Sequence, residues 1–348
     1  MAGARRCGLE GRALRRMGVV VTPDSKIIAA LRSRPGGVSG AELATELGIS
    51  RAAVWARIEE LRRAGFGIEA GPHFGYRLAE EPDNLLADDL LARLGSGRVI
   101  GRDIRVFQET ASTNDVVEKL ARDGAPEGVA VFAEAQTKGR GRLGRKWVSP
   151  GRKGLWFSVL LRPALHPQEA TQLTILSATA LRRALHKAGG LAPRIKWPND
   201  LLLNGRKVAG ILTEMSAEPD RIRHITLGIG VNLNQTEGDF PAELRSVATS
   251  MRREAGRELA RPEVAAAALA ELDADYERLR TGRFAEVADE WEAHCDTVGR
   301  EVTVQMGDRR VRGRAEALDD DGALLVRTEH GHLERIIGGD VTLEKTPS

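Results

Sequence analysis

Cysteine is nearly absent from this 348-residue chain. Cys7 and Cys295 lie far apart and can build neither a disulfide framework nor a metal knuckle, which points to a reducing compartment, the cytoplasm. No apolar run approaches the roughly 20 residues that a membrane-spanning helix needs, so no membrane partner is expected. A strong charge of one sign is missing too. The net charge is +3, and the first 22 residues alone contribute +4, from Arg5, Arg6, Arg12, Arg15 and Arg16 against Glu10. The remainder therefore carries −1, which argues against a body coated in nucleic-acid contacts. The longest apolar run of the basic tail is only Val19 to Val21, too short for a secretory core. Residues 1–22 read as a disordered tail, or as lying partly before a true start at Met17. What is present, 42% apolar and 29% charged residues, is the composition of a globular protein long enough for two or three domains.

Residues 23–80 read as three short helices and a hairpin. Ile27, Ile28 and Leu31 make one helical apolar stripe. Ser39 and Glu42 form a capping box that opens a second helix, with Leu43 and Leu47 on its inner face and Gly48 at its end. Ile49 fills the turn. Ser50 caps a third helix, whose Val54, Ile58 and Leu61 repeat at helical spacing. Helix, four-residue turn, helix is the helix-turn-helix spacing, and the Gly- and Pro-punctuated Phe66 to Tyr76 suits a β-wing. Glu80 to Asp83 reads as a linker. Residues 84–296 mix strands and helices without strict alternation, which predicts an α+β domain on a mixed sheet. Strands are expected at Ile104–Gln108, Val129–Glu134, Leu155–Leu161, Arg194–Trp197, Lys207–Thr213 and Ile225–Val231. Helices are expected at Thr113–Arg122, at Ala170–Lys187 and twice within Pro262–His294. Residues 297–348 show only short strands split by turns at Gly307-Asp308, Asp320 to Gly322 and His330-Gly331, which predicts a small SH3-like β-barrel.

Four segments carry chemistry. Gly139, Gly141 and Gly144 satisfy a dinucleotide-binding spacing, but Pro150 and Gly151 follow where a helix should open, and Ala164 stands near the position of the required acid. The loop is not a P-loop either, since Arg145-Lys146 follows Gly144. Its distinctive feature is five cations, Lys138, Arg140, Arg142, Arg145 and Lys146, interleaved with three glycines. Such a loop can be mobile when empty and close over an anion, although a solvated basic loop or a nucleic-acid patch has the same composition. In the second segment, Lys196-Trp-Pro-Asn-Asp200, a strand end before a Pro-fixed turn can aim an ammonium into a cleft, or simply end at the surface. The third, Ser112-Thr-Asn-Asp115, sits at a helix start, where ordinary N-capping competes with recognition of a carboxylate or ureido group. The fourth, Gly228-Ile-Gly-Val-Asn232, says that something packs close to the backbone.

In this order and register, the four segments resemble the bifunctional biotin–protein ligase family, with Gln136, Lys207 and Ala209 to Leu212 as further matches; the resemblance runs from about Asp24 to Leu343. It implies an enzyme that makes biotinyl-AMP from biotin and Mg-ATP, then transfers biotin to a lysine of a biotin carboxyl carrier protein. Ser112, Thr113, Asn114, Gln136, Arg140, Gly141, Arg142 and Lys196 would contact biotin. Arg142, Arg145, Trp147, Lys207 and Asn232 would contact the nucleotide, with Lys196, Arg142 and Arg140 as the catalytic cations. Magnesium would bridge phosphates, its protein ligands unassigned. Leu143 departs from the family, which often has another arginine there, and lowers the local charge.

The resemblance also implies a biotin-responsive repressor whose adenylate-bound homodimer binds operator DNA near biotin-synthesis genes. Ser50, Arg51, Ala52, Trp55 and Arg57 would face the DNA, with Arg62 and Arg63 also exposed, unless the charges merely solvate the helix or Trp55 packs half-buried on the wing. The alternatives are a non-catalytic biotin-sensing regulator and a lipoate–protein ligase.

Overall fold

The computed structural model describes residues 22–343, so residues 1–21 of the basic tail lie outside the described residues, while Thr22, read as part of that tail, caps α1 by accepting from the Ser25 N–H. The N-terminal unit comprises α1 (Pro23–Ser33), α2 (Gly40–Leu47), α3 (Arg51–Arg63) and the antiparallel hairpin β1 (Gly67–Gly71) and β2 (Gly75–Glu80). Local chemistry explains its boundaries. Ser39 and Glu42 close a reciprocal capping box, Gly48 takes a left-handed conformation (φ 65°), and the Ser50 side chain accepts from the Ala53 N–H. Only three residues separate α2 from α3, one fewer than the spacing suggested. Ile27, Leu31, Leu43, Val54, Ile58 and Leu61 form a separate buried core.

The central unit continues with α4 (Ala87–Leu94), β3 (Asp103–Thr110), α5 (Thr113–Arg122), β4 (Val129–Gln136), β5 (Leu155–Leu161) and α6 (Thr171–Gly189). It then runs through β6 (Arg194–Lys196), β7 (Asp200–Leu203), β8 (Arg206–Ala217), β9 (Ile222–Val231), α7 (Met251–Ala255), α8 (Arg261–Arg280) and α9 (Phe284–Ala293). The seven strands form one mixed sheet in the order β3-β4-β5-β9-β8-β7-β6; β3 and β4 are parallel and every other pair is antiparallel. Strand alternation decides the layers. On β4, Val129 and Val131 join Val117 and Ala121 beneath α5. Ala130 and Phe132 face the opposite core, where α6 packs on α8 and α9. Elements α4, α7 and β7 escape the sequence reading; each is short, and α4 lacks the capping box that marked the equally short α2.

The C-terminal unit is a five-stranded antiparallel sheet of β10 (Glu301–Met306), β11 (Arg309–Leu318), β12 (Leu324–Thr328), β13 (Leu333–Ile336) and β14 (Asp340–Leu343), ordered β13-β12-β11-β10-β14.

Glu80 to Asp83 is no slack tether. Arg32 on α1 donates to Glu81 at 3.0 and 2.9 Å and to Asp89 on α4 at 2.5 Å. Asp83 accepts from the backbone N–H and Nε of Arg261, which is 1% exposed and also paired with Glu134 on β4. Helix α4 contributes Leu90, Leu91 and Leu94 to the central core and Ala92 to the N-terminal one. It therefore bolts the two together.

Candidate active site

A cavity of about 640 Å³ opens over the sheet and draws on every segment singled out in the sequence. Its floor explains the glycines of β8 and β9. A Cβ on Gly228 would collide with the Asn114 side chain, one on Gly230 with the Trp147 ring, and one on Gly210 would crowd the same ring at 3.0 Å. The groups packing close to this backbone are Asn114 and Trp147.

At one end stands the start of α5. Ser112 holds the N-cap position, yet its side chain makes no capping bond, contrary to the ordinary capping expected there. Gln136 at the end of β4 does that work instead. Its Oε1 accepts the Thr113 N–H at 2.9 Å, while its Nε2 donates to Ser149 at 2.9 Å. The buried hydroxyl of Ser112 is left lining the cavity. Thr113 Oγ1 lies 2.7 Å from Ser158 Oγ, Ser158 Oγ donates to Asn114 Oδ1 at 2.5 Å, and Asn114 Nδ2 donates to Glu214 Oε2 at 2.6 Å.

The glycine-rich loop folds into a defined hairpin rather than a helix. A bridge joins Arg140 to Lys146, Gly141 N–H reaches Arg145 O at 2.7 Å, and Trp147 N–H reaches Gly139 O at 2.9 Å. At its tip, Leu143 takes the left-handed conformation (φ 56°) and is 72% exposed, so the family's missing arginine would have pointed to solvent. The arginines part company here. Arg140 spends its donors on two carboxylates, with Nε and Nη2 on Glu214 at 2.9 Å and Nη1 on Asp115 at 2.7 Å. Those bonds to Glu214 raise the Arg140 pKa against the pull of burial. Burial alone would raise Glu214, but Arg140 and Asn114 outweigh it and hold the carboxyl below its ordinary value. Arg142 makes one bond, to Asn199 Oδ1 at 3.2 Å. Burial lowers its pKa, opposed by the nearby Asp340 and Asp200. Arg145 reaches across to pair with Asp340 on β14, which brings the C-terminal unit to the cavity rim.

Lys196-Trp-Pro-Asn-Asp200 is the hairpin between β6 and β7, in which Lys196 pairs in register with Asp200. Lys196 is half-buried and lines the cavity, as do Gly141, Lys207 and Asn232. Lys207 Nζ sits 2.6 Å from Asp200 and 5.3 Å from the Trp147 ring centre. Buried Asn232 accepts from Gln235 at 3.1 Å. The Trp147 indole N–H is buried without a partner among the described residues.

The sequence reading missed Asp340, which lines the cavity, and Glu214 and Ser158, which hold the lining residue Asn114 without lining the cavity themselves. Glu214 and Ser158 look like ordinary members of alternating strands, and Asp340 comes from a unit distant in sequence.

On the N-terminal unit, Ser50 at the cap of α3 and Arg51, Ala52 and Trp55 on the helix are exposed, Trp55 at 58%, so it is not packed on the wing. Arg57 and Arg62 are half-buried rather than free. Arg57 pairs with Asp24 at 3.2 Å, and Arg62 donates to Ile68 O at 2.9 and 2.7 Å, pinning the wing.

Comparisons with known proteins agree with this architecture. Residues 106–232 match a family model described as the biotin/lipoate A/B protein ligase family, residues 24–77 an HTH domain, and residues 297–343 the biotin protein ligase C terminal domain. The chain is 39% identical over 306 residues to the bifunctional ligase/repressor BirA of Bacillus subtilis, covering 88% of this chain and 94% of that protein. The protein of that description from Escherichia coli is 34% identical over 306 residues, covering 88% and 92%. Among solved structures, a biotin protein ligase from Aquifex aeolicus in complex with biotin and ATP matches with TM-score 0.60 and 31% identity, over 70% of this chain and 99% of that one.

Proposed function

This chain belongs to the biotin protein ligase family, in its bifunctional ligase/repressor form, and on that footing we propose how its residues divide the work. The protein is an ATP-dependent biotin–protein ligase. It joins biotin and ATP into biotinyl-AMP, passes the biotinyl group to a lysine of a carrier protein, and binds DNA as a biotin-responsive repressor. The observation that carries the site reading is the division of one cavity into a neutral end and a cationic end. Ser112, Thr113, Asn114 and Gln136 supply hydroxyl and amide groups suited to the ureido ring of biotin. Arg142, Lys196 and Lys207 supply charge for phosphates. About 640 Å³ lies within the usual range for small-molecule sites.

The biotin carboxylate attacks the α-phosphorus and pyrophosphate leaves. Negative charge builds on the non-bridging oxygens, and Arg142 and Lys196 meet it with cations already held in a partly dehydrated site. The two arginines of the loop take different roles. Arg140, its donors committed to Glu214 and Asp115, braces the loop beside the biotin end. Arg142, with a single bond to Asn199, is the loop cation that meets the adenylate. Trp147 offers its ring and its unpartnered N–H to the nucleotide, alongside Lys207, Arg145 and Asn232. The closed hairpin shields the mixed anhydride from water until a carrier lysine attacks the acyl carbon and AMP departs.

Magnesium would enter with the nucleotide. Among the described residues no three His, Cys, Asp or Glu side chains converge, and Asp200, Asp239 and Asp340 line the cavity as separate carboxylates. Any of these carboxylates could help hold a hydrated magnesium ion beside the phosphates, as is usual for this ion. The ion would neutralise phosphate charge while Arg142 and Lys196 orient the reacting groups.

The repressor half rests on α3, whose Ser50, Arg51, Ala52 and Trp55 face outward to a major groove, with Arg57 on its flank. The exposed patch is modest, so adenylate-driven dimerisation on a palindromic operator supplies the affinity. A gel shift should separate apo from adenylate-bound protein; identical binding would remove the corepressor role. Incubation with ATP, biotin and a carrier domain should raise the carrier's mass by one biotinyl group. No labelling together with no biotin-dependent pyrophosphate release would return the reading to a non-catalytic sensor. Labelling with lipoate in place of biotin would favour the lipoate ligase, which the relatives and the attached HTH domain speak against.

A further inference from the structure

We infer that Glu214 on β8 is a positioning residue for the biotin site: its carboxylate sets which way the Asn114 amide faces and holds Arg140 as a brace, and so fixes the hydrogen-bond polarity of the neutral end of the cavity. The inference rests on the ligase reading above and adds to it a residue outside the segments that carried that reading.

The argument is one of donors and acceptors. An ionised carboxylate only accepts. Glu214 Oε2 takes a hydrogen from Asn114 Nδ2 at 2.6 Å and another from Arg140 Nη2 at 2.9 Å, while Oε1 takes Arg140 Nε at 2.9 Å. Rotating the Asn114 amide by half a turn would set its oxygen against that carboxylate, two acceptors face to face. The NH₂ must therefore point to Glu214 and the oxygen to Ser158. Ser158, wholly buried on β5, then has to donate to Asn114 Oδ1, as its 2.5 Å contact allows. Its lone pairs are left for Thr113 Oγ1 at 2.7 Å. The Thr113 hydroxyl has one proton and two acceptors within reach, Ser158 Oγ at 2.7 Å and Gln136 Oε1 at 3.2 Å. With the Ser158 proton already given to Asn114, the shorter contact must take it, and Gln136 Oε1 is served chiefly by the Thr113 backbone N–H at 2.9 Å.

One carboxylate thus orders a chain that runs from Thr113 through Ser158 and Asn114 to Glu214. Its consequence at the cavity wall is that Thr113 offers an oxygen lone pair, so the ligand group beside it must be an N–H. Gly228 is part of the device, because any side chain there would occupy the place of Asn114 Oδ1. The ordering is worth a built-in anion because a neutral amide and two hydroxyls can otherwise settle in either direction, and a site that has not chosen cannot discriminate strongly.

The test is calorimetric binding of biotin and, separately, of ATP to the full-length wild type, Glu214→Gln and Ser158→Ala, with thermal unfolding of each. Glutamine keeps the shape of Glu214 but can donate, so Asn114 is free to turn. Glu214→Gln should raise the biotin Kd by about tenfold to a hundredfold, the scale of one hydrogen bond to a charged group. Its ATP Kd should stay within about twofold, a shift small against one such bond. Ser158→Ala cuts the chain between Thr113 and Asn114 and should show the same split, which keeps the idea testable if Glu214→Gln does not fold. Wild-type biotin affinity in either folded variant overturns the inference. So does an equal loss of biotin and ATP binding, the mark of a merely structural role. A wild type that binds ATP but not biotin overturns the ligase reading itself, a different failure.

Discussion

On α3, Arg57 is paired with Asp24 and Arg62 is tied to Glu59 and the wing backbone, leaving Arg51, Arg63 and Trp55 exposed. In the cavity, Arg140 is locked to two carboxylates while Arg142 stays half-buried with one neutral partner. Both regions use the same residue type, and both divide it between scaffold and contact. The difference lies in what surrounds the contact. A cation within a walled site acts through a low effective dielectric and is worth several kcal/mol, whereas one on a helix face is screened by water and salt. The first can carry chemistry alone. The second must be multiplied by a second copy.

The contrast can be broken most sharply at Lys196. Lys196→Ala should slow adenylate formation by about a hundredfold to a thousandfold, the usual loss for one preorganised transition-state donor, read as biotin-dependent pyrophosphate release. Unchanged turnover would move the catalytic charge elsewhere. Next comes Arg142→Gly, which should let biotinyl-AMP escape and label lysines on a bystander protein, seen by avidin blot. Arg140→Gly should instead act mainly by weakening biotin binding. If Arg140→Gly leaks and Arg142→Gly does not, the two roles are reversed.

Effects on α3 should be smaller. Arg51→Ala or Trp55→Ala should weaken operator binding by about 1–3 kcal/mol, and for a phosphate-contacting arginine the salt dependence should flatten by about one unit, measured by titration across ionic strengths. Arg57→Ala should do least to DNA affinity, because Asp24 already holds its charge, and should instead show as a change of a few tenths of a kcal/mol in unfolding free energy. An Arg57 effect equal to that of Arg51 would mean that DNA draws Arg57 off Asp24, and the division between scaffold and contact on this helix would fall.

Much of the fold was legible because its cues are local. The capping residues Ser39 and Ser50, the αL glycine Gly48 and the helical spacing of Val54, Ile58 and Leu61 all act within a few residues. Helix α5 was placed at its full length on the same grounds. The site was legible in part. The unusual groupings around Arg142 and Lys196 stand out in any reading, and the glycines of β9 announced a close neighbour without naming it. What stayed hidden arose across the sheet. Ser112 looked like a cap, and only the arrival of Gln136 from β4 releases it from that duty.

The sequence by itself determined the three units, the positions of the helix starts and which segments carry charge and glycine, since propensity, capping and periodicity are written within a few residues of each position. Tertiary structure alone decided which arginine is bound to carboxylates and which keeps one neutral partner, that Glu214 and Ser158 hold Asn114 at the cavity wall, and that Asp340 reaches the rim. The reason is physical: a side chain's role depends on its partners' charge and on how much water reaches it, and both come from strands, helices and units that meet only when the chain has folded.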